Sequence, residues 1–205
     1  MIKEQYVQYG CGLNAPTNWH NFDASPTLRL QKIPFIFKWT SPRFPEKIKY
    51  GNIVKGLPLA TESCKGIFCS HVIEHLSLND CRVALKNTYS YLKPNGIFRL
   101  VLPDLEYLAH AYINSSDVNA AILFMNDSGL GRISRPHGVI EYLRDLFGNS
   151  SHYWMWDFKS LCAVLDDVGF CNIRRAELGD SEDILFNTVE NSDRWANSLG
   201  IECRK

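Results

Sequence analysis

The chain has 205 residues, of which 45% are hydrophobic, so it is long enough for one domain with a substantial core and is not expected to be disordered. Its 22 basic residues balance its 22 acidic residues, which excludes a protein that attracts polyanions through its overall charge. No apolar run approaches the roughly 18 residues of a membrane span, and the polar start MIKEQYVQYG lacks the apolar core of a signal peptide. We therefore expect a soluble, cytoplasmic, single-domain protein over residues 1–205.

The cysteines point to a reducing compartment. They form no Cys-x-x-Cys pair, their number is odd, and most lie within apolar runs, where a free thiol behaves as a small hydrophobic side chain. They are Cys11, Cys64, Cys69, Cys81, Cys162, Cys171 and Cys203. This usage agrees with a cytoplasmic location.

The first two predicted strands lie very close together in the sequence. Residues 5–9 predict a strand that ends in the glycine loop GCG, and residues 19–23 predict the second strand. Only residues 13–18 remain between them, which leaves little room for a crossover helix. A dinucleotide-binding loop needs a third glycine and a helix whose amino end holds a pyrophosphate, and both are missing here. A ligand at this loop therefore need not carry phosphate.

A basic and aromatic segment follows the second strand. Between positions 29 and 55 there are seven Lys or Arg residues and one acid, with five aromatic residues among them. Pro34, Pro42 and Pro45 exclude a regular helix through the middle. We interpret about 29–47 as an insertion. It is either a lid over an anionic or sugar-bearing substrate, a patch for a polyanion, or a solvated loop whose aromatic residues pack on the core.

The middle of the chain alternates strands with one well-defined helix. Residues 48–53 predict a third strand, residues 67–69 a short buried fourth strand, and residues 98–102 a fifth. Ser77 has capping-box spacing to Asp80 and predicts the start of a helix between the fourth and fifth strands. Apolar residues then recur at helical spacing until the sequence Lys-Pro-Asn-Gly ends the helix.

Residues 105–150 predict a mainly helical region that covers the site. Apolar residues recur at helical spacing near both of its ends, and glycines and a proline break the middle. In this break, Arg132, Arg135 and His137 either converge on an anionic group or are simply solvated.

The last predicted elements are a helix and two strands. Residues 158–168 have apolar residues at helical spacing and are followed by Gly169 in the C-cap position. Residues 172–178 and 198–203 predict strands separated by an acidic, irregular stretch without a helix, which favours an antiparallel edge hairpin. Strands that alternate with helices over most of the chain predict an α/β sandwich with a mainly parallel, seven-stranded sheet.

Polar and titratable residues follow the fourth predicted strand. They are Ser70, His71, Glu74 and His75. In open α/β sheets the ligand crevice lies beyond the carboxyl ends of the strands. We therefore expect these four residues at the rim of the crevice, where the chemistry takes place.

Several short motifs, taken together, resemble one family. The chain contains, in the order found in class I S-adenosylmethionine-dependent methyltransferases, the motifs YGCG with WHNFD, GLPLATES, SHVIEHL, LKPNGIFRLVLPDLE, SHYWMWDFKSL, DDVGF and SLGIECRK. The resemblance is to a small group of the methyltransferase type 11 kind that is often found beside glycan-assembly genes. It covers nearly the whole chain and implies a Rossmann-like, three-layer sandwich with a shortened first crossover.

The resemblance implies S-adenosyl-L-methionine as the cofactor and assigns its pocket. The glycines let the backbone approach the methionine part, Asp23 accepts hydrogen bonds from the ribose hydroxyls, and Asn52 lies near the adenine. The cofactor-binding residues that it implies are Gly10, Cys11, Gly12, Asp23, Asn52, Ile53, Ser70 and His71.

Three features depart from the family's pattern. Tyr9 precedes the glycine loop without the acid that is common there, Lys65 and Gly66 replace an acid and an aliphatic residue, and Asn52 is neutral where aspartate is frequent. These departures motivate a second interpretation, a methyltransferase fold without catalytic activity that serves as a binding or scaffold protein.

Catalysis by such an enzyme depends mainly on holding the nucleophile and the methyl group about 3 Å apart, because the leaving thioether needs no proton. A hydroxyl or amine acceptor gains from a base within hydrogen-bond reach. The sequence does not identify that base. Its candidates are His71, Glu74, His75, Asp104, His137 and His152.

The residues from His71 to His75 also match the HxxEH motif of a zinc hydrolase. That mechanism needs both histidines on one face of a helix and a third ligand from a later helix. Because the motif directly follows a strand and Ser77 begins the helix, we keep this interpretation as a minor alternative and assign no metal.

We therefore interpret the chain as an S-adenosylmethionine-dependent methyltransferase that acts on a small molecule or a glycan precursor, with oxygen as the acceptor atom. The choice of oxygen rests on the family's gene neighbourhoods alone. The balanced charge argues against nucleic acid as a partner, although protein and nucleic-acid acceptors stay open as alternatives through the basic and aromatic segment 29–55. The sequence is silent on the oligomeric state.

Overall fold

The computed structural model describes residues 5–31, 33, 43–135, 138 and 151–205. The strands are β1 (Gln5–Tyr9), β2 (His20–Asp23), β3 (Lys49–Tyr50), β4 (Cys64–Ser70), β5 (Leu92–Pro103), β6 (Cys171–Arg175) and β7 (Ser198–Arg204). The helices are α1 (Pro26–Leu30), α2 (Leu78–Tyr91), α3 (Leu105–Ile113), α4 (Ala120–Asp127), α5 (Phe158–Val168) and α6 (Ser192–Trp195), with 3-10 helices at Ile73–His75 and Ile184–Thr188. Within these described ranges, every helix is too short or too polar to cross a bilayer.

The seven strands of the described residues form one sheet, in the order β3-β2-β1-β4-β5-β7-β6. The first five strands are parallel to one another, and β7 is antiparallel to both of its neighbours, β5 and β6. The predicted α/β fold with a mainly parallel, seven-stranded sheet is confirmed, as is the antiparallel pairing of the last two strands. Because β7 lies between β5 and β6, only β6 forms that edge of the sheet.

The connection from β1 to β2 runs through two turns and contains no helix. Two buried amide side chains hold it in place. Gln8 Nε2 donates to the Asn14 carbonyl at 2.8 Å and to Asn21 Oδ1 at 2.6 Å, and Asn21 Nδ2 donates to the Pro16 carbonyl at 3.1 Å. The shortened first crossover is therefore confirmed.

The two faces of the sheet are covered by different elements. On one face, α2 and α5 pack on apolar side chains of the central strands, such as Ile67 and Phe98. On the other face, the 3-10 helix Ile184–Thr188 places Phe186 against Phe68. Successive residues of a strand point to opposite faces, which is why neighbouring residues of β4 belong to different clusters. The sheet is thus the middle layer of the predicted three-layer sandwich.

Two local signals set helix ends as predicted. The side chain of Ser77 accepts a hydrogen bond from the Asp80 N–H at 3.2 Å at the start of α2. Gly169 ends α5 in the left-handed conformation, with φ +111°, which suits glycine because it has no Cβ.

Other predicted bounds differ from the structure. The third strand comprises Lys49–Tyr50 rather than 48–53, because Gly51 and the residues after it leave the sheet as a loop. The stretch between β6 and β7, predicted to be irregular, contains a 3-10 helix and α6. Asp183 and Asn191 cap these helices with side-chain hydrogen bonds to backbone N–H groups.

Two predicted regions are only partly described. The helical region 105–150 contains α3 and α4, and its residues 136, 137 and 139–150 lie outside the described residues. In the predicted insertion about 29–47, residues 32 and 34–42 also lie outside them.

One arginine is completely buried in the sheet. Arg99 of β5 is 0% exposed, and its guanidinium donates to Glu190 at 2.5 Å, to Asp180 at 2.9 Å and to Glu202 at 3.1 Å. It also donates to the carbonyl of Glu177 at 2.5 Å. Arg99 therefore ties three residues of the connection between β6 and β7, Glu177, Asp180 and Glu190, to the sheet.

Candidate functional site

An open cleft lies at the carboxyl ends of the first four strands. Its volume is about 510 Å³, within the range of roughly 300–1,000 Å³ for small-molecule sites. Its walls come from the last residues of β1, β2 and β4 and from the loops that follow the first four strands, together with Phe44 and Arg194. The strand order reverses between β1 and β4, which is where ligands bind in open α/β sheets.

The loop after β1 brings backbone to the cleft without side chains. Gly10 and Gly12 line the cleft and have φ angles of +67° and +55°, which other residues adopt only with strain. A Cβ on Gly10 would lie 2.0 Å from a methyl carbon of Val72, so only glycine fits there. A Cβ on Gly12 would meet nothing within 4 Å and would enter open space.

Asp23, the last residue of β2, lies in the cleft, and its carboxylate can accept further hydrogen bonds. Its Oδ2 accepts a hydrogen bond from the Gly12 N–H at 3.0 Å, and its Oδ1 accepts one from the Ser25 N–H at 2.7 Å. A carboxylate has about four lone-pair sites, so each oxygen keeps one acceptor position. The two backbone bonds fix the carboxylate and leave it able to accept two hydroxyl groups.

Cys11 lies between the two glycines, but its side chain does not line the cleft. It packs with Leu28, Phe44 and Ile48 in a small apolar cluster. Burial, and after it the charge of Asp23, raises the pKa of the thiol to about 12. A cofactor contact at Cys11 stays a prediction. We expect its backbone to make that contact, because the thiol points into the apolar cluster.

We predict that Cys11 resists alkylation in the folded protein. A thiol with a pKa of about 12 is almost entirely protonated near neutral pH, and the thiolate is the nucleophile. Cys171 is exposed and serves as the internal control. Iodoacetamide followed by peptide mass mapping should label Cys171 and spare Cys11, and equal labelling of the two would contradict the burial of Cys11.

Asn52 and Ile53 reach the cleft from the loop after β3. The Asn52 Oδ1 accepts hydrogen bonds from the N–H groups of Val54 and Lys55 at 2.9 and 3.2 Å. Because these bonds occupy the carbonyl side of the amide, its NH₂ group is the part that remains for a ligand. Ile53 is buried, and its carbonyl accepts from Asn87 at 2.7 Å. The NH₂ group of Asn52 can donate a hydrogen bond to a ring nitrogen, and the side chain of Ile53 offers an apolar surface to the face of the ring. Together they suit a flat heteroaromatic ring.

Ser70 and His71 line the cleft at the end of β4. The Ser70 Oγ is buried and has no hydrogen-bond partner in the described part of the chain. His71 has a φ of +52°, a strained conformation of the kind that clusters at functional sites. Its Nε2 lies 2.9 Å from the Arg194 carbonyl oxygen, which can only accept, so Nε2 carries the hydrogen.

Glu74 is a buried carboxylate beside the cleft. Its side chain is 0% exposed, and neither oxygen has a hydrogen-bond partner among the residues that the structure describes. His71 Nδ1 lies 3.4 Å and His75 Nε2 lies 4.0 Å from Glu74 Oε1. The His152 ring packs against the His75 ring, with centroids 4.8 Å apart. Four of the six candidates for the catalytic base therefore form one cluster.

The other two candidates are not part of this cluster. Asp104 caps α3, because its Oδ1 accepts from the Glu106 N–H at 2.9 Å, and its Oδ2 lies 3.6 Å from Arg175 Nη1. These contacts hold its carboxylate at the start of α3, and its role as a base stays a prediction. His137 lies outside the described residues.

The HxxEH motif does not form the helix that a zinc hydrolase requires. His71 follows the end of β4 in a positive-φ conformation, and His75 ends the 3-10 helix Ile73–His75. The two histidines therefore do not lie one above the other on a face of an α-helix.

Several residues that line the cleft were not among the predicted site residues, and two of them, Phe44 and Arg194, come from segments away from the strand ends. Phe44 comes from the predicted insertion, where the side chain of Gln31 makes hydrogen bonds of 2.8 and 2.9 Å to its N–H and carbonyl. Arg194 belongs to α6, and its carbonyl accepts from His71. The aromatic residues of the insertion, which suggested a lid over the substrate, were a sequence signal that pointed to Phe44. No local signal marked Arg194, because it lies in an acidic stretch far along the chain for which the sequence predicted no helix.

Sequence comparison gives one partial match. The family described as "Methyltransferase domain" matches residues 36–100, which is less than half of the chain. These residues include β3, β4 and α2. A comparison with curated protein sequences found no significant match.

Solved structures share the fold over nearly the whole chain. A SAM dependent methyltransferase from Archaeoglobus fulgidus has a TM-score of 0.52 and 15% identity, covering 98% of this chain and 86% of that chain. A possible histamine N-methyltransferase from Thermotoga maritima has a TM-score of 0.53 and 15% identity, covering 98% and 82%. An S-adenosylmethionine dependent methyltransferase from Mesorhizobium loti has a TM-score of 0.52 and 14% identity, covering 98% and 90%. At these identities the likeness establishes the shared fold.

Proposed function

We propose that the chain is an S-adenosyl-L-methionine-dependent methyltransferase. The observation that carries the proposal is the Asp23 carboxylate, which two backbone N–H groups hold with one acceptor position free on each oxygen. Two adjacent ribose hydroxyls need such a pair of acceptors. The family match over residues 36–100 and the fold shared with structures described as SAM dependent methyltransferases support the same proposal.

The rest of the cleft fits the parts of this cofactor. The NH₂ group of Asn52 and the side chain of Ile53 suit the adenine ring, and the glycine loop leaves room for the methionine part. The unpartnered Oγ of Ser70 offers that part a hydrogen bond. A sulfonium is positively charged and gains nothing from a helix amino end, which agrees with the turns that join β1 to β2.

Catalysis in this cleft rests mainly on positioning. Bound S-adenosyl-L-methionine supplies a methyl group on a positively charged sulfur, and the leaving thioether needs no proton. The residues of the cleft therefore have to hold the acceptor atom about 3 Å from the methyl carbon. A hydroxyl acceptor also gains from a base within hydrogen-bond reach, and His71 and His75 are titratable residues that line the cleft.

We propose a small molecule or a glycan precursor as the acceptor, methylated at oxygen in the cytoplasm. A cleft of about 510 Å³ suits a ligand of that size. The predicted insertion about 29–47 borders the cleft through Phe44, which supports a role as a lid over an anionic or sugar-bearing acceptor. The glycan class rests on the family resemblance of the sequence motifs.

Titration calorimetry with S-adenosylhomocysteine, the product form of the cofactor, tests the proposed site. We expect the wild type to bind and the Asp23→Asn variant to bind at least about tenfold more weakly, a loss of about 1.4 kcal/mol. The reason is that the substitution turns one acceptor atom into a donor. Asp167→Asn, at an exposed position of α5, is the matched control and should bind like the wild type.

Two results would contradict the proposal. A folded wild type that does not bind even at millimolar concentration would favour the alternative of a non-catalytic binding or scaffold protein. Equal affinities of wild type and Asp23→Asn would place the ligand outside this cleft. Circular dichroism of each variant separates loss of binding from loss of fold.

A further inference from the structure

We propose that Glu74, His75 and His152 bind a divalent transition-metal ion, with zinc as the ion to test. One ligand atom from each residue lies within 4.8 Å of those of the other two. His75 lines the cleft, so an ion bound here is reached from the cleft. Metal binding needs no methyl transfer to be detected, and the inference is therefore independent of the proposed function.

The first argument is the environment of the Glu74 carboxylate. It is completely buried, and neither oxygen has a hydrogen bond to the described residues. An ionised carboxylate without partners is costly to bury, and buried charges are normally paired or coordinate a metal. A cation bound between Glu74 and the neighbouring imidazoles removes this cost.

The neighbouring His71 ring satisfies this carboxylate only in part. Its Nδ1 lies 3.4 Å from Glu74 Oε1, but this contact does not form a hydrogen bond, and Oε2 has none either. The other ring nitrogen of His71 already donates to the carbonyl of Arg194. The carboxylate therefore retains acceptor capacity that His71 does not use.

Both proposed histidine ligands are oriented as in known metal sites. His75 Nδ1 lies 3.1 Å from the Ser151 carbonyl oxygen, and His152 Nδ1 lies 2.7 Å from the Ser128 carbonyl oxygen. A carbonyl oxygen can only accept, so each Nδ1 carries a hydrogen and each Nε2 keeps its lone pair. Metal-binding histidines almost always donate their other N–H group to such a carbonyl or to a carboxylate.

The spacing of the three ligand atoms is close to that of a loaded site. Three atoms no more than 4.8 Å apart all lie within about 2.8 Å of a common point, whereas zinc–ligand distances are about 2.0–2.2 Å. Each side chain therefore has to move by less than about 1 Å. The His75 and His152 rings meet edge to face, with an interplanar angle of 71°, so they approach this point from different directions.

The backbone around His152 leaves room for its ring only because position 129 is a glycine. A Cβ on Gly129, whose φ is +66°, would lie 2.4 Å from His152 Nδ1. The segment after His152 is tied to Glu74, whose carbonyl accepts from the N–H groups of Tyr153 and Trp154 at 2.7 and 3.2 Å. Two segments that are far apart in sequence are therefore fixed against each other at the proposed site.

The ligand set favours a first-row transition metal. Two imidazoles and one carboxylate suit zinc and related divalent ions, and three protein ligands leave a coordination position for water or a ligand from the cleft. This site differs from that of the HxxEH hydrolases, because Glu74 is a ligand here and His71 is not.

The test is a zinc titration of the untagged 205-residue chain after removal of metals with EDTA. We expect one zinc ion per wild-type chain and at least about 100-fold weaker binding by Glu74→Gln and by His152→Asn, because even the outer-shell partners of metal ligands contribute about 10- to 100-fold. His110→Asn replaces an exposed histidine of α3 and should bind like the wild type. Gly129→Ala keeps all three ligands and should also weaken binding, because it displaces the His152 ring.

Cobalt(II) provides a second readout, since its ligand-field absorption should appear with the wild type and be lost in Glu74→Gln and His152→Asn. A wild type that binds no stoichiometric zinc would overturn the proposal. Equal zinc affinities of the wild type and both variants would also overturn it, by assigning the ion to other groups such as the exposed Cys171. Glu74→Gln exchanges a buried charge for a neutral group of the same shape, so we expect it to fold without metal, which circular dichroism checks.

Discussion

Replacing Arg99 with methionine is expected to lower the free energy of unfolding by about 3–5 kcal/mol, the usual cost of breaking a buried ion pair from one side. The guanidinium is fully buried, and the side chains of Glu190 and Glu202 that it contacts are only 2% and 6% exposed. In the variant, Glu190 loses its ion pair with Arg99, and Glu202 keeps only its ion pair with Arg174. Urea denaturation measures the change.

The matched control for this substitution is Arg204→Met. Arg204 pairs with Glu182, whose side chain is 78% exposed. We expect a loss of less than about 1 kcal/mol there, because solvent screens exposed ion pairs. A similarly small loss in Arg99→Met would mean that the connection between β6 and β7 does not depend on the buried guanidinium.

Gly10→Ala is the second substitution with a large expected effect. Its Cβ would lie 2.0 Å from a methyl carbon of Val72, and its φ of +67° is unfavourable for alanine. We expect a loss of about 2–5 kcal/mol, with about 1–2 kcal/mol from the backbone and about 1–3 kcal/mol from overpacking. Binding of S-adenosylhomocysteine should weaken as well, because the loop that lines the cleft has to shift.

A double-mutant cycle separates the two causes. Val72→Ala removes the methyl groups that the new Cβ meets, so Gly10→Ala in that background should cost only about 1–2 kcal/mol. Gly12→Ala is a second reference, because it has a φ of +55° and nothing within 4 Å of its Cβ. If the effects of Gly10→Ala and Val72→Ala were additive, the clash would not be their cause.

The order of the elements and much of the cleft could be predicted because their signals are local. Apolar periodicity located α2, while Ser77 and Gly169 marked helix ends. Gly10 and Asp23 line the cleft because each stands where a parallel strand ends, and such strand ends meet at one edge of the sheet.

The remaining features depend on contacts between distant segments, which the pattern of a sequence does not contain. Arg99 lies in an apolar run, and its three carboxylate partners follow 81, 91 and 103 residues later. His152 was a candidate on its own, but no local signal linked it to Glu74. The helices between β6 and β7 have five and four residues, which is too short for periodicity to reveal.

The place of β7 in the sheet affects the order in which the chain folds. β5 pairs with β4 on one side and with β7 on the other. In the pairing with β7, Ile97 lies opposite Arg204 and Pro103 lies opposite Ser198. Pairing over so many residues is slow, and the amino-terminal part of a protein leaves the ribosome first. Until the residues of β7 emerge, β5 presents an apolar strand edge that can pair with another chain. We therefore expect the nascent protein to be prone to aggregate in the interval after β5 and before β7 has been made.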